Sequence, residues 1–357
     1  MTDTVINMSS SVTGHLNTRD SVQLHAIPKI SAIRDWFQHE ELFIDNGFTR
    51  QDWIYHRSWR RHLPEGFAFI RVLHSLGYPV FFYVGVSLLV CVYAQWAEDA
   101  GAPKIFTHQN AVRSQRYYIA LLLTSFAVGL LIVFRTNSSY ARWWEARTHW
   151  GGMLGITRNI MRQCTCWFPE EQQDKLAAVA RWTAVLTPLL KMHCRWQTDV
   201  HIQLKDRLLS HELAYVISVK HAPNMAATVL TQLIASANLP EMLQISVDQQ
   251  IVRYTDSVAA CERLQKQPIP VAYTRHTSRF LLWWLTGFPF AAWSSYGWVT
   301  PFVTAVVTFL LLGVENIGIQ IEEPFEVLPI EAITAACIAS VHEILERHHE
   351  CKELLRR

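Results

Sequence analysis

Three long stretches of the chain contain no Asp, Glu, Lys or Arg. The first, residues 72–97, ends at Glu98 and Asp99, and the second, residues 117–134, lies between Arg116 and Arg135. A helix needs about 20 apolar residues to cross the hydrocarbon core of a bilayer. Each of these two stretches therefore predicts one membrane-spanning helix.

The third uncharged stretch, residues 280–314, is too long for one crossing. As a single helix it would measure roughly 50 Å, against a hydrocarbon core of about 30 Å. Pro289, Gly297 and Pro301 lie near its middle and predict a break. We therefore expect two packed spans joined by a tight turn, the second continuing towards Gln320, which makes four spans in all.

Between the second and third stretches, residues 138–267 show the spacing of amphipathic helices rather than strands. Apolar residues recur there at intervals of three and four: Leu176, Val179, Ala180, Ala184, Leu186, Leu190, Leu230, Leu233, Ile234 and Ala237. Arginines cluster before the first span and after the second: Arg57, Arg60, Arg61, Arg71, Arg135, Arg142 and Arg147. Positive charge marks the cytoplasmic side, so both termini and the helical middle are expected there.

These boundaries predict five segments. Residues 1–55 are a polar tail and entry segment, residues 56–135 a lead-in and the first two spans, and residues 136–275 a cytoplasm-facing helical region. Residues 276–321 hold the last two spans, and residues 322–357 form a helical C-terminal segment. The expected fold class is an all-α integral membrane protein with four transmembrane helices and a cytoplasmic helical bundle.

The composition agrees with a membrane protein and excludes several other classes. Charged residues are 17% of the chain, against about 25% in soluble proteins. A net charge of +2 gives no basis for nucleic-acid binding. The seven cysteines are scattered, and Cys164, Cys166, His193 and Cys194 match no common zinc spacing. We expect reduced thiols, no metal site and no cofactor.

Enzyme motifs are missing from the sequence. There is no G-x-S-x-G, no phosphate-binding Walker loop, no dinucleotide glycine motif and no H-E-x-x-H. The acidic residues Glu322, Glu323 and Glu326 cluster after the fourth span, where a solvated helix end is the more frequent situation and a cation site the rarer one. The sequence therefore predicts that the protein is not an enzyme.

A stripe of large apolar residues runs along the second span. Phe126, Leu130 and Phe134 are four residues apart and share one face of a helix. Lipid contact or core packing explains such a stripe in most proteins. If several copies surrounded an axis, the same stripe would form an apolar constriction able to gate by dewetting. The small residues Ser125, Ala127 and Gly129 beside it would permit close helix approach.

Charged and aromatic residues follow this span directly. Arg142, Glu145 and Arg147 alternate in sign within two helical turns, among the tryptophans at 143, 144 and 150. We interpret these three charged residues as a structural network, a buried set of ion pairs that anchors the end of the span.

Three motifs resemble those of the bestrophin family of anion channels. Residues 134–151 resemble its F-R-x-N-x-x-Y-x-R-(F/W)-W-E-A-R-x-x-W-G motif almost position for position. Residues 268–274 resemble the segment that leads into the third span, and residues 321–325 resemble the signature after the fourth. The resemblance covers about residues 55–345, and residues 274–279 and 324–332 are most similar to the plant and algal branch, which includes voltage-dependent thylakoid chloride channels.

This resemblance implies a homopentamer around a central pore, to which each subunit contributes its second span. The family's apolar neck would correspond to Phe126, Leu130 and Phe134, and its cytoplasmic aperture to Ile269. Arg116 is our candidate for an anion-attracting group at the outer mouth. A photosynthetic eukaryote would carry the protein in the thylakoid or another chloroplast membrane; any other source would carry it in the cell membrane.

The sequence departs from the family in two places. Animal members follow P-F-G with an acidic run that binds calcium, whereas Phe325 is followed here by Glu326 and then by Val, Leu, Pro and Ile before Glu331. Because calcium sites need six or more oxygen ligands, we expect no calcium activation through this loop. At Leu130, many animal members carry Phe, which changes the width of the neck.

The expected function is passive conduction of chloride, with nitrate and bicarbonate as further candidate anions, and the expected partners are these anions, the bilayer and other copies of the chain. Two alternatives remain open. A coupled secondary anion transporter would show inverted repeats and ionisable residues within its spans, and this sequence shows neither, since its predicted spans carry no Asp, Glu, Lys or Arg. A membrane-tethered helical scaffold would place its activity in the helical middle.

Overall fold

The computed structural model describes residues 50–57, 66–101, 111–197 and 203–356. Across these ranges the regular structure is helical and contains no strand. The predicted N-terminal tail lies almost entirely outside the described residues. The helices are α1 (Arg50–Arg57), α2 (Gly66–Asp99), α3 (Ala111–Trp167), α4 (Gln173–Cys194), α5 (Ser210–Ser218), α6 (Ala222–Ser236), α7 (Glu241–Lys266), α8 (Val271–Tyr296), α9 (Thr300–Glu322), α10 (Pro324–Val327) and α11 (Ile330–Arg356).

Helix α3 connects the two main regions of the described chain. It has 57 residues and therefore extends for roughly 86 Å, far more than one membrane crossing requires. The sequence places a span boundary at Arg135, but the helix continues through that residue without a break. The first half of α3 is the apolar second span, and the second half is part of the helical middle.

Helices α8 and α9 form an antiparallel hairpin. A short 3₁₀ turn, Gly297–Val299, joins them, and Gly297 has a φ of +53°, a conformation that favours glycine. Ser278 on α8 hydrogen-bonds Glu315 on α9 at 2.8 Å, which places the two helices side by side. The break falls at Gly297 as expected, whereas Pro289 lies inside α8 and does not end it.

Four helices, α2, α3, α8 and α9, carry the long apolar segments of the described chain and are called here the span-forming helices. Three segments of the described chain are long and apolar enough to cross a membrane: Gly77–Asp99, Ile119–Trp167 and Val271–Glu322, the last of which contains the α8–α9 hairpin. Buried apolar residues join α2, α3, α8 and α9: Val80, Tyr83, Val128, Ile132, Leu281, Leu285 and Leu312. This small core holds the span-forming helices of one chain together.

The second half of α3 packs into a much larger core with α4, α6, α7 and α11. Trp150, Met153 and Ile160 on α3 are fully buried there. Tyr254 on α7 is also fully buried, and its hydroxyl donates a 2.9 Å hydrogen bond to the Leu186 carbonyl on α4. The amphipathic spacing of residues 138–267 therefore forms a helical bundle, in which apolar faces are covered by the chain itself.

The expectation that the spans contain no charged residue is wrong. Helix α9 continues beyond the uncharged stretch to Glu322 and carries Glu315, whose side chain is buried. Arg135 on α3 is buried as well. Arg135 directly follows the second uncharged stretch and Glu315 directly follows the third, so neither was counted, although the last span was expected to continue past Glu315 towards Gln320.

Candidate functional site

The apolar stripe on α3 faces away from the rest of its own chain. Phe126, Leu130 and Phe134 have exposed fractions of 76%, 42% and 54%, whereas Val128 and Ile132, on the other side of the helix, are buried. Three large apolar side chains exposed on one face require lipid, or another copy of the chain, or both, to cover part of that surface. The stripe is therefore free to take part in an assembly.

The small residues next to the stripe leave room for close approach. A Cβ added at Gly129 would meet no atom within 4 Å, so the chain itself does not use this gap. The Ser125 hydroxyl donates to the Leu122 carbonyl at 2.6 Å, and Thr124 donates to the Ala120 carbonyl at 2.8 Å. Because these hydroxyls bond within the helix, the stripe presents an apolar surface to its surroundings.

The span carried by α3 has the least cover from its own chain. Of the 18 most apolar consecutive residues of this helix, only 17% are buried within the chain. The corresponding share is 39% for the span of α2 and 28% for the α8–α9 segment. A helix at the edge of a finished monomer and a helix at the centre of an oligomer would both look like this.

Directly after the stripe, a buried ion pair fixes α3 to the hairpin. Arg135 pairs with Glu315 on α9 and donates a 2.8 Å hydrogen bond to Ser278 on α8. The side chains of Arg135 and Glu315 are 5% and 8% exposed. The sequence patterns do not predict this pair, because its partners are 180 residues apart. A glutamate within an otherwise apolar helix was the available signal.

Arg142, about two turns further along α3, binds backbone carbonyls. Its guanidinium donates to the Gln267 carbonyl at 2.6 Å, to the Glu322 carbonyl at 3.1 Å and to the Leu264 carbonyl. These carbonyls lie at the C-terminal ends of α7 and α9, where the helices leave carbonyl groups without intrahelical partners. Arg142 therefore ties the end of the bundle to the end of the last span.

Glu145 and Arg147 have partners of different kinds. Glu145 forms an ion pair with Arg263 on α7, in which both side chains are more than a third exposed. The Arg147 guanidinium lies 5.3 Å from the Trp143 ring centroid and 6.0 Å from that of Trp144, which is cation–π geometry. The three motif residues thus make separate contacts and not one buried set of ion pairs.

The remaining predicted site residues have less defined surroundings. Ile269 lies in the short connection between α7 and α8 and is 9% exposed, while its neighbours Pro268 and Pro270 are exposed. Arg116 lies in the first two turns of α3, among residues whose side chains the structure does not describe. Both assignments, the aperture and the outer mouth, stay predictions.

The carboxylates at the end of α9 lie in a cleft that also contains the positively charged guanidinium of Arg142. Glu322 and Glu323 line a cavity of about 340 Å³ together with Arg142, whereas Glu326 is exposed on α10. A calcium ion here would compete with the guanidinium for the same carbonyl oxygens and would be repelled by its charge. The geometry is that of an arginine-capped helix end.

Comparison with known proteins identifies the family of the chain. The family model described as Bacterial/Fungal Bestrophin protein matches residues 52–343. Voltage-dependent chloride channel 1, chloroplastic, of Arabidopsis thaliana is 28% identical over 303 residues, covering 84% of this chain and 73% of the relative. A voltage-dependent anion channel-forming protein of Nostoc sp. is 32% identical over 225 residues, covering 59% of this chain and 72% of the relative.

A solved structure of a bacterial bestrophin homolog from Klebsiella pneumoniae has the same fold. Its TM-score is 0.66 at 22% identity, and the match covers 75% of this chain and 98% of that chain. The resemblance in three sequence motifs is thereby confirmed by a family model over most of the chain and by the fold. This multi-pass membrane protein belongs to the bestrophin family.

Proposed function

We propose that the protein is an anion-selective channel that conducts chloride passively along an axial pore, with nitrate and bicarbonate as further permeant anions. One observation carries the proposal: the stripe of Phe126, Leu130 and Phe134 is exposed on the span that its own chain covers least. The names of the relatives, chloride and anion channels, support the same activity. The protein acts without a catalytic step and is not an enzyme.

The pore requires several copies of the chain, and we propose five. Five α3 helices around an axis would turn the stripe inwards and form a narrow apolar neck. The edges of phenylalanine rings are electropositive and can face an anion that has lost part of its water. Such a constriction passes ions when it is wet and blocks them when it dries. Native mass spectrometry should give a particle of five 41.2 kDa chains.

Ion selectivity is the first test. Purified protein in a planar bilayer between unequal potassium chloride solutions should give stepwise currents that reverse near the equilibrium potential of chloride. Currents that reverse at the potassium potential would overturn the proposal. Mixed salts of chloride, nitrate and bicarbonate then give the order of the anions.

The neck is tested by shortening its side chains. Replacement of Phe126, Leu130 and Phe134 by Ala should change conductance or gating strongly, because the constriction widens and stays hydrated. The matched control is Phe81→Ala with Phe82→Ala, which removes two exposed rings from α2. A neck variant with the unitary current of the parent protein would remove these residues from the pore.

We further propose that conduction does not depend on calcium. The Arg142 guanidinium binds the Glu322 carbonyl at the end of α9, and the few nearby carboxylates line the same cleft as this positive charge. Single-channel currents should be the same with calcium and with a calcium chelator. Loss of current on chelation would contradict this part of the proposal.

For the membrane and its orientation, the arginine-rich span ends support a bundle on the cytoplasmic or equivalent side. Likeness to chloroplastic relatives supports a thylakoid or other chloroplast membrane in a photosynthetic eukaryote, and the cell membrane otherwise.

A second candidate function, coupled anion transport, is favoured by one observation. Arg135 and Glu315 are ionisable residues at span level, and transporters use such groups to couple ions to substrate. The two residues neutralise each other and bond Ser278, which fits a fixed structural pair better than a group that changes partners. Slow flux in fixed stoichiometry with a second ion would support the transporter; stepwise currents would exclude it.

A further inference from the structure

Away from the span-forming helices, three side chains of the bundle converge on one point. His193 in the last turn of α4 and His221 at the start of α6 both direct Nε2 at Glu262 Oε1 on α7, at 2.8 Å and 3.1 Å. The two imidazole rings have their centroids 4.8 Å apart. All three potential ligand atoms lie within 4.8 Å of one another.

We propose that His193, His221 and Glu262 bind one divalent transition-metal ion of the zinc class. Two imidazoles and one carboxylate are ligands of borderline hardness, which suit zinc, nickel and cobalt better than calcium or magnesium. Metal–ligand distances of about 2.0–2.2 Å in a tetrahedral site place the ligand atoms roughly 3.3–3.6 Å apart. The observed separations need only small side-chain movements to reach that geometry.

The site is accessible and leaves a coordination position open. His193 lines a cavity of about 300 Å³ together with Gln197 and Lys220. All three ligand residues are partly buried, so they are neither sealed in the core nor free in solvent. Three protein ligands leave the fourth position of a tetrahedral site for water or a small anion.

Two contacts of the metal-free cluster would have to give way. Lys266 Nζ lies 3.0 Å from Glu262 Oε1, but its side chain is 56% exposed and can move into solvent. His221 Nδ1 accepts a 3.3 Å hydrogen bond from the Asn224 amide, which places the ring proton on Nε2. Metal binding at Nε2 shifts that proton to Nδ1 and breaks this long bond. The competing interpretation is a hydrogen-bonded cluster that never takes a metal.

A metal at this point would join three helices of the bundle. α4, α6 and α7 each supply one ligand, and the positions in sequence, 193, 221 and 262, give no zinc spacing. In the sequence His193 lies next to Cys194, and no metal site was expected there. The fold instead turns His193 towards α7.

The test measures zinc binding to the intact detergent-solubilised protein. Exposed Cys166 and Cys351 are first replaced by Ser so that surface thiols do not bind zinc. Isothermal titration with zinc chloride should then give one saturable site per chain. His193→Ala and Glu262→Gln should each lower the zinc affinity tenfold or more, because each removes one of three ligands. His211→Ala, which removes an exposed histidine on α5, should leave the affinity unchanged.

A spectroscopic measurement keeps the test decisive if a variant fails to fold. X-ray absorption at the zinc edge of the parent protein should show two imidazole ligands and light-atom ligands, without sulfur. Sulfur scattering would place the metal on cysteines and overturn the proposal. So would absence of saturable binding, or a His211→Ala variant that loses as much affinity as the two ligand variants.

Discussion

The two halves of α3 have opposite relations to their own chain. In the first half, Phe126 and Phe134 are more than half exposed, while in the second half Trp150 and Met153 are fully buried. Both halves carry large apolar residues along a face of one continuous helix. The apolar face of the bundle half is buried against other helices of the same chain, whereas that of the span half must be covered by lipid or by other copies of the chain. Hydrophobicity alone does not distinguish the two situations; the surrounding helices do.

The largest expected effect comes from the bundle half. Trp150→Ala should destabilise the protein by about 3–5 kcal/mol, since it removes a fully buried indole and leaves a cavity. Thermal unfolding in detergent, followed by intrinsic fluorescence, measures the loss.

Phe126→Ala is the matched control in the span half of the same helix. Its ring is 76% exposed, so the melting temperature should change little while the current changes. Equal destabilisation by the two substitutions would remove the distinction between the halves.

The junction between the halves gives the second prediction. Arg135→Leu should cost about 3 kcal/mol or more, because it leaves Glu315 buried without its partner charge. The double variant Arg135→Leu with Glu315→Leu should recover much of that stability, since buried pairs can be replaced by apolar residues. Melting temperatures of the single and double variants form a double-mutant cycle. Additive losses would mean that the pair has no coupling.

Most of the span-forming region could be predicted from the sequence, because bilayer thickness imposes a simple rule on length and composition. The turn at Gly297 and the helical nature of residues 138–267 followed from glycine placement and helical spacing. The neck stripe was predicted from spacing and from family resemblance, and its role in a pore stays a prediction.

Contacts between distant residues could not be predicted in this way. Arg135 pairs across 180 residues with Glu315, and His221 meets Glu262 across 41 residues. The segment boundary placed at residue 135 falls inside α3, because a change from apolar to charged residues marks the membrane surface and not the end of a helix. Local patterns specify faces and lengths, while tertiary packing decides which faces meet.

Substitution of Arg142 tests how the bundle is fixed to the span-forming helices. The loss of stability should be smaller than that caused by Arg135→Leu. Arg142→Ala should cost about 1.5–3 kcal/mol, since it removes charge-assisted hydrogen bonds to carbonyls of two helix ends. Arg142→Lys should recover only part, because an ammonium group cannot reach the same carbonyls with a planar fork. Melting temperatures again measure the loss, with exposed Arg253→Ala as control. Full recovery by Lys would mean that charge alone matters there.

The smallest expected effect lies within the bundle and depends on pH. Glu212 on α5 is 8% exposed and accepts hydrogen bonds from Arg181, from Trp182 and from the Leu209 amide at 2.9 Å. Burial tends to raise the pKa of its carboxyl, but these bonds outweigh it and the pKa is lowered. A carboxylate whose pKa is lower in the folded state stabilises the fold above its unfolded pKa of about 4.3. That stability is lost as the pH falls through the folded value.

Glu212→Gln should therefore cost about 1–2 kcal/mol at neutral pH, because the amide cannot replace an ionised acceptor for Arg181. The difference from the parent protein should shrink as the pH falls below about 4.3. Chemical unfolding across pH 3–7 measures it, with exposed Glu350→Gln as the control. A difference that stays constant over this range would mean that the charge on Glu212 contributes nothing and that the bundle is held by its apolar core alone.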